Sequence, residues 1–418
     1  MSPKSLDGKI TTNHELLVLK TARQFKFLLG EVYLMTDRIN WLLVPLVLLQ
    51  HILQLTGGIL LLTDATNTRS SVMPADALAR KMHCLIAPVG YTTLAISWRK
   101  TSMMIEIAEE VNKLLLTDQF PISNSLRAAI ITDLENRHRV IIICVMSGAQ
   151  LMVLFYFVPP ILKFLTSAPS SRQLDLPLNL PDPLSLIGFT PTDVSRAIAY
   201  FICILSNMSH FYIVYLGKSL TFVIMDSLKT AFFICGQSLQ TFGHEGFLDT
   251  EQFLSAVKLH QRVLRLSSKV KNAVEPYFIV SLTASMCYNT TCALAVTHQE
   301  FDVHNAKMMF GMMVSLAIIS CLFILPGSTT HQAEDLANRI YFNENWLVRR
   351  LKCACHFPFM IMRSNKLVQF RIYNCWVVSE ENFLKYLQLL YSVYIVLQST
   401  FPSSTRETGP NAIVKVSS

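Results

Sequence analysis

Six uninterrupted apolar runs, each of a length that crosses a bilayer, constrain this chain more than any other feature. They are Asn40 to Leu62, Met82 to Trp98, Val140 to Leu165, Ala197 to Gly217, Pro276 to Thr297 and Met308 to Leu325. A helix needs about 17 to 25 such residues to cross roughly 30 Å of hydrocarbon. Unpaired backbone groups are costly there, so the runs read as helices. A seventh region is broken: Phe357 to Met362 is followed by Arg363, Lys366 and Arg371 before apolar character returns at Trp376 and continues to Gln398. That pattern predicts a split helix, with a cytoplasmic half, a turn and a spanning half near Phe383 to Gln398. The fold class is an all-α polytopic membrane protein with seven transmembrane helices. Composition agrees, since 51% of the 418 residues are hydrophobic and only 15% charged, too apolar for a soluble chain of two or three domains.

Cytoplasmic flanks are enriched in Lys and Arg. With the N-terminus inside, the inner segments hold 26 of the 36 basic residues. The expected topology is therefore a cytoplasmic N-terminus and an extracellular C-terminus, inverted relative to a G-protein-coupled receptor. Topology also accounts for the net charge of +8, which gives a nucleic-acid partner no support. The opening MSPKSLDGK lacks the apolar core of a signal peptide, so insertion is expected to rely on the first run with no part removed. Most of the 10 cysteines lie within runs or on the inner side, which argues against a secreted disulfide framework. Cys353, Cys355 and His356 offer at most half a zinc site, and no metal is expected.

The organisation follows from these segments. Residues 1–38 form a cytoplasmic N-terminal segment, 39–217 the first four spans, 218–275 cytoplasmic helical extensions, 276–330 spans five and six, 331–399 the split seventh helix, and 400–418 a disordered outer tail. Thr101 to Leu116 places Met104, Ile107, Val111 and Leu114 on one helical stripe, with Glu106, Glu109 and Glu110 largely off it. It reads as a helix continuing from the membrane into the cytosol. The segment Thr166 to Val194 carries five prolines and little charge and reads as a turn-rich outer loop. Asn289-Thr290-Thr291 is a sequon inside the fifth run, a poor place for a glycan.

The chain has no phosphate-binding glycine loop, zinc-protease motif or nucleophile elbow, so an enzyme is disfavoured and no cofactor is expected. The first six runs hold no Asp, Glu, Lys or Arg in their central turns, whereas ion-coupled transporters place ionisable groups at mid-membrane. What the runs offer is apolar, aromatic and Met-rich faces. Ser147, Leu151 and Phe155 recur at intervals of four; Phe201, Leu205 and Met208 share a face, as do Phe310 and Met313. Such faces suit a pocket for a small apolar ligand, with Ser147 or Tyr91 as the orienting polar group. Ordinary helix packing or lipid contact is the competing explanation for each.

Two C-terminal blocks carry a family signature. One is AEDLANRIYFNENW, Ala333 to Trp346; the other runs from Phe359 to Leu397 and contains Met362-Arg363-Ser364 and, near its end, Tyr391-Ser392-Val393-Tyr394. Leu259 to Val296, with His260-Gln261 ahead of the fifth run, and Trp98 to Asn112 add to the pattern. Together these segments resemble the insect odorant receptor family, over most of Trp98 to Gln398. The resemblance implies a ligand-gated, nonselective cation channel in the plasma membrane of an olfactory neuron's dendrite. It also implies an inner anchor region through which four subunits associate, and a small volatile ligand held in the outer half of the membrane among helices two to six. Tyr288 joins the candidate pocket residues on that basis.

In the family the final helix lines the pore. Ser379 suits a helix N-cap, and Glu380 and Glu381 suit its positive end. Against the ending of the family's co-receptor (Orco), Tyr391 and Ser392 fall on a Thr-Tyr pair, Ile395 on a hydrophobic gate, Gln398 on a Gln, and Ser399 where a second apolar ring residue is usual. Tyr391-Ser392 and Ser399 depart from that ending, so the resemblance implies a ligand-specific tuning subunit in a heterotetramer with the co-receptor. A gustatory receptor of the sister family is the close rival. A G-protein-coupled receptor calls for an Asn-Pro-x-x-Tyr element in the last helix, which is missing.

Overall fold

The computed structural model describes residues 15–26, 52, 100, 102–116, 122–167, 192–241, 250–298, 303–342, 356–364, 368–372 and 376–400. The first two apolar runs apart from Ile52, Tyr91, the outer loop from 168 to 191, Cys353, Cys355 and the tail beyond Thr400 lie outside the described residues.

The described chain is helical almost throughout. In order come α1 (Leu17–Lys26), α2 (residues 102–116), α3 (Asn124–Thr166), α4 (Asp193–Thr241), α5 (Thr250–His298), α6 (Val303–Tyr341), α7 (His356–Ser364), β1 (Arg371–Ile372), β2 (Trp376–Val377) and α8 (Glu380–Thr400). α4 and α5 each run 49 residues, about 74 Å at 1.5 Å per residue. That is more than twice the roughly 30 Å of a hydrocarbon core, so each helix continues well beyond any span it makes.

Three helical segments among the described residues are long and apolar enough to cross a membrane: Asn124–Thr166, Val214–Gln240 and Met308–Tyr341. In the first and third only 29% and 33% of the apolar window is buried, but in Val214–Gln240 the figure is 89%. That middle stretch is apolar because protein surrounds it. Leu220, Val223, Leu228 and Phe232 of α4 pack in one core with Val263, Leu266 and Val270 of α5 and Leu336 and Ile340 of α6. The C-terminal half of α5 and α8 fall short as apolar spans. Ser281, Ser285, Asn289, Thr290 and Thr291 dilute the first, and Glu380, Glu381, Lys385, Gln388 and Gln398 the second. The α5 threonines return their hydroxyls to carbonyls of their own helix, Thr290 to Met286 at 2.7 Å and Thr291 to Cys287 at 2.6 Å, which satisfies them without water.

The stripe on α2 is buried as expected: Met104, Ile107, Val111 and Leu114 are all inaccessible. Off that stripe, Glu106 and Glu110 both bind Lys269 Nζ of α5 at 2.8 Å. Arg127 closes the other end of α2 by donating Nε and Nη2 to the Leu115 carbonyl at 3.2 and 3.0 Å, a cation at a helix's negative pole. Between α3 and α4, buried Asp226 takes Arg137 Nε at 3.1 Å and faces His138 Nε2 at 3.5 Å.

The seventh region is split, as its charge pattern predicts, and the connection is a small antiparallel hairpin. Arg371 pairs with Val377 and Ile372 with Trp376, and Val378 N–H donates to the Phe370 carbonyl at 2.8 Å. Ser379 precedes the first residue of α8 and its carbonyl accepts from Phe383 N–H at 3.2 Å. The Asn382 side chain holds the turn by donating to the Val377 carbonyl at 2.8 Å.

Candidate functional site

A second cluster of buried residues stands apart from the main core. α3 contributes Met152, Val153 and Phe157, α4 contributes Tyr200 and Cys203, α5 contributes Tyr288 and Cys292, and α6 contributes Met308. Spacings of three in α4 and four in α5, and of four between Val153 and Phe157 in α3, put these members on shared faces. Four helices thus converge on a region of aromatic rings, thioethers and thiols with few strong dipoles. Phe157 and Tyr200 meet edge to face with ring centroids 6.0 Å apart, and the Tyr200 hydroxyl donates to the Phe157 carbonyl. Cys292 Sγ lies 3.6 Å from Met308 Sδ. Sulfur and aromatic groups of this kind adapt to varied apolar shapes.

Gly311 of α6 makes room for Tyr288. A Cβ at that position would collide with the Tyr288 hydroxyl and sit 3.4 Å from Met152 Cε. Glycine inside a helix costs about 1 kcal/mol relative to alanine, so a packing reason is expected, and the phenol supplies it.

Of the residues singled out from sequence, Tyr288 lies in this cluster and Phe310 packs partly buried against it. Phe155 stacks on Phe310 with centroids 4.4 Å apart and planes at 26°, although its other side is exposed. Ser147, Leu151, Phe201, Leu205, Met208 and Met313 are exposed. The buried neighbours one residue away, Met152 beside Leu151 and Tyr200 beside Phe201, occupy the interior instead. These helices are apolar nearly all round, so hydrophobicity alone does not fix their rotation. Phe157, Cys203, Cys292 and Met308 were missed for that reason. The mid-helix Gly311 was the one local signal that pointed inward.

One turn along α5 and α6 lies a polar cluster. Ser285 and Ser315 hydroxyls are 2.9 Å apart, and Asn289 Nδ2 donates to Ser285 Oγ at 2.8 Å and to Ser315 Oγ at 3.2 Å. Asn289 is fully buried, so its sequon presents no acceptor to a glycan. Tyr386, the buried residue of α8, turns its hydroxyl toward Ser285 and Asn289.

α8 is otherwise fastened by aromatic contacts. Phe323 of α6 has Phe383 and Tyr386 centroids at 5.6 and 5.7 Å and Trp376 at 6.4 Å. At the root of the helix, Gly327 lets α6 approach so closely that a Cβ there would lie 3.1 Å from Glu380 N. Tyr391, Ile395, Gln398 and Ser399 all sit exposed on the C-terminal length of α8. The Tyr391 and Tyr394 rings are 6.3 Å apart, and Ser399 returns its hydroxyl to the Val396 carbonyl at 2.8 Å.

Toward the N-terminal end of α5, His260 Nε2 and Ser364 Oγ are 2.6 Å apart and both residues are buried. Burial, with the nearby Arg363 charge second, lowers the His260 pKa to about 4. The imidazole is therefore neutral at cellular pH and serves as a structural hydrogen-bonding group.

No protein-family model matches the chain, and no curated protein matches it by sequence. Among solved structures, the insect olfactory receptor OR5 from Machilis hrabei in complex with eugenol is similar with a TM-score of 0.73 and 11% identity, over 92% of this chain and 98% of that one. A structure of the same Machilis hrabei receptor described without eugenol gives a TM-score of 0.66 and 13% identity over 91% and 98%. At such identities the agreement is one of architecture, and it extends over nearly the whole of both chains: this protein has the all-helical fold of an insect olfactory receptor.

Proposed function

We propose that the chain is an odorant receptor tuning subunit. With the olfactory co-receptor it forms a heterotetrameric, ligand-gated, nonselective cation channel in the dendritic plasma membrane of an olfactory sensory neuron, surrounded by membrane lipid. The observation that carries the reading is the four-helix cluster around Tyr288, set in a fold shared end to end with a receptor solved with eugenol. Eugenol is small, aromatic and mostly apolar with a few oxygens. A lining of Tyr200, Tyr288, Phe157, Met152 and Met308 suits ligands of that character: apolar area supplies affinity and a phenol hydroxyl orients the oxygen. Phe310, with Phe155 stacked behind it, forms the wall on the α6 side. Occupation of this region would favour one arrangement of α5 and α6 over another, a population shift that α8 reads at its root and at Tyr386. Ile395 on the outer length of α8 then serves as the gate, with Tyr391, Gln398 and Ser399 around it.

The test is whole-cell current under a panel of volatiles, eugenol included, in cells expressing this chain with and without the co-receptor. Rapid cation current in the paired cells alone is expected. Current without the co-receptor would replace this reading with the gustatory one, and silence across the panel with heteromers at the surface would count against a volatile-gated channel.

A further inference from the structure

We infer that the Tyr386 hydroxyl is a positioning group that couples the ligand cluster to α8, by closing a hydrogen bond onto the Asn289–Ser285–Ser315 cluster in the conducting arrangement. The inference rests on the receptor reading above.

Three observations lead to it. First, the polar cluster sits on the same two helices that hold the aromatic one. Asn289 follows Tyr288 directly, and Ser315 lies one turn from Gly311, the residue that accommodates the Tyr288 ring. A displacement of Tyr288 by a ligand therefore moves Asn289 with it. Second, Tyr386 is the buried side chain of α8, flanked by the half-buried Phe383, Leu387 and Leu390, whereas Leu384, Leu389, Tyr391, Ile395 and Val396 are exposed. With Phe383 it holds α8 against Phe323 of α6. Ile395 lies nine residues further on, about 14 Å along the axis.

The third observation is an unsatisfied pair. The Tyr386 hydroxyl is turned toward Ser285 and Asn289, yet neither it nor Asn289 Oδ1 has a well-formed hydrogen bond, and both atoms are buried. A buried polar group left unbonded carries its full desolvation cost. A phenol donor on α8 and an amide acceptor on α5, each buried without a partner, would be satisfied together if a small slide or rotation of α8 brought them face to face. The described arrangement has that bond open, and the inference assigns the closed bond to the conducting arrangement. No charge is involved, so the device works within a membrane without an ion to desolvate.

The experiment compares wild type, Tyr386→Phe, Asn289→Leu, the double variant and Ser315→Ala, each with the co-receptor, using eugenol and medium-chain alcohols, aldehydes and esters. Surface amount is read in parallel by biotinylation. Tyr386→Phe removes one oxygen and keeps the ring against Phe323. It is expected to raise the half-maximal ligand concentration about tenfold and to lower the maximal current at unchanged surface amount, the size of one hydrogen bond in a coupling free energy. Asn289→Leu also removes the amide's bonds to Ser285 and Ser315, so the double variant should shift by clearly less than the sum of the two single shifts, because the Tyr386 bond is counted in both. If Tyr386→Phe fails to reach the surface, Ser315→Ala carries the same comparison. A responsive wild type with unshifted or strictly additive variants overturns the inference alone. A wild type silent to the whole panel removes the receptor reading and this inference with it.

Discussion

His260 and Ser364 show how much a single contact can explain. In the sequence they belong to two separate signatures, His260-Gln261 before the fifth run and Met362-Arg363-Ser364 in the last region, and nothing in either says that they meet. The fold brings them to 2.6 Å in a buried site, so one hydrogen bond accounts for a polar residue in each. The pairing was illegible because it joins residues 104 apart in sequence, through packing of α7 that local pattern does not encode. Ser364→Ala leaves a buried imidazole nitrogen unbonded and is expected to cost about 1–3 kcal/mol, read as a lower melting temperature of the detergent-solubilised protein. A loss below a few tenths of a kcal/mol would mean that the site collapses or admits water. The same histidine sets a pH dependence. Its folded pKa is about 4 against 6.5 for the free side chain, so between those values the unfolded chain binds a proton that the folded one refuses. Stability is therefore complete above about pH 6.5 and falls as pH drops toward 4. His138, lowered to about 3 by burial and then by Arg137, acts in the same direction. Melting temperature should decline between pH 7 and 5, and His260→Gln should make the decline shallower; an unchanged slope would remove His260 from the account.

At the scale of the helix, existence was legible for the described spans, but full length was not, and rotation was legible only where charge marks one face. The α2 stripe was read correctly because Glu106, Glu109 and Glu110 mark its outer side, giving the helix one wet face and one dry face. α3 and α4 have no such contrast in their apolar stretches, and the faces through Leu151 and Phe201 turned out to be the exposed ones. Side-chain shape fixes the rotation there, through the Phe155–Phe310 stack and the Tyr200–Phe157 contact. The interlock of α5 with α6 at Tyr288 and Gly311 is the sharpest of these fits. Gly311→Ala adds a methyl where the Tyr288 hydroxyl now lies, so the ring must leave its place or the helices must separate. Overpacking of this type costs about 1–3 kcal/mol. The expected outcome is a channel that reaches the surface in reduced amount and shows a changed order of preference among volatiles. Preferences identical to wild type at equal surface amount would show that Tyr288 does not shape the ligand site.

At the scale of the whole molecule, α8 is an outlier. One side of it packs on the core through Phe383, Tyr386, Leu387 and Leu390, while the other faces outward, with Leu384 64%, Tyr391 63% and Val396 62% exposed and Ile395 41%. Its charged and amide residues sit mainly toward the root. In the proposed channel that outward face would be the one available to neighbouring subunits. The split of the seventh region was readable from Arg363, Lys366 and Arg371, and the hairpin that executes it was not, since two-residue strands leave no periodicity to read. Within the proposed channel, an apolar ring at Ile395 blocks ions by excluding water, and widening it by a few Å restores conduction. Ile395→Ala removes three carbons from the ring without adding charge. Because Ile395 is partly exposed and makes little of the fold's core, the substitution is expected to leave surface amount unchanged. Current in the absence of ligand should rise several-fold while half-maximal ligand concentration falls, since less work remains for the ligand to do. Paired recordings from cells expressing wild type or Ile395→Ala with the co-receptor, normalised to surface protein, measure both. A rise in both respects places the seal at Ile395, whereas unchanged leak at equal surface amount moves it to another level of α8 or to the co-receptor subunits.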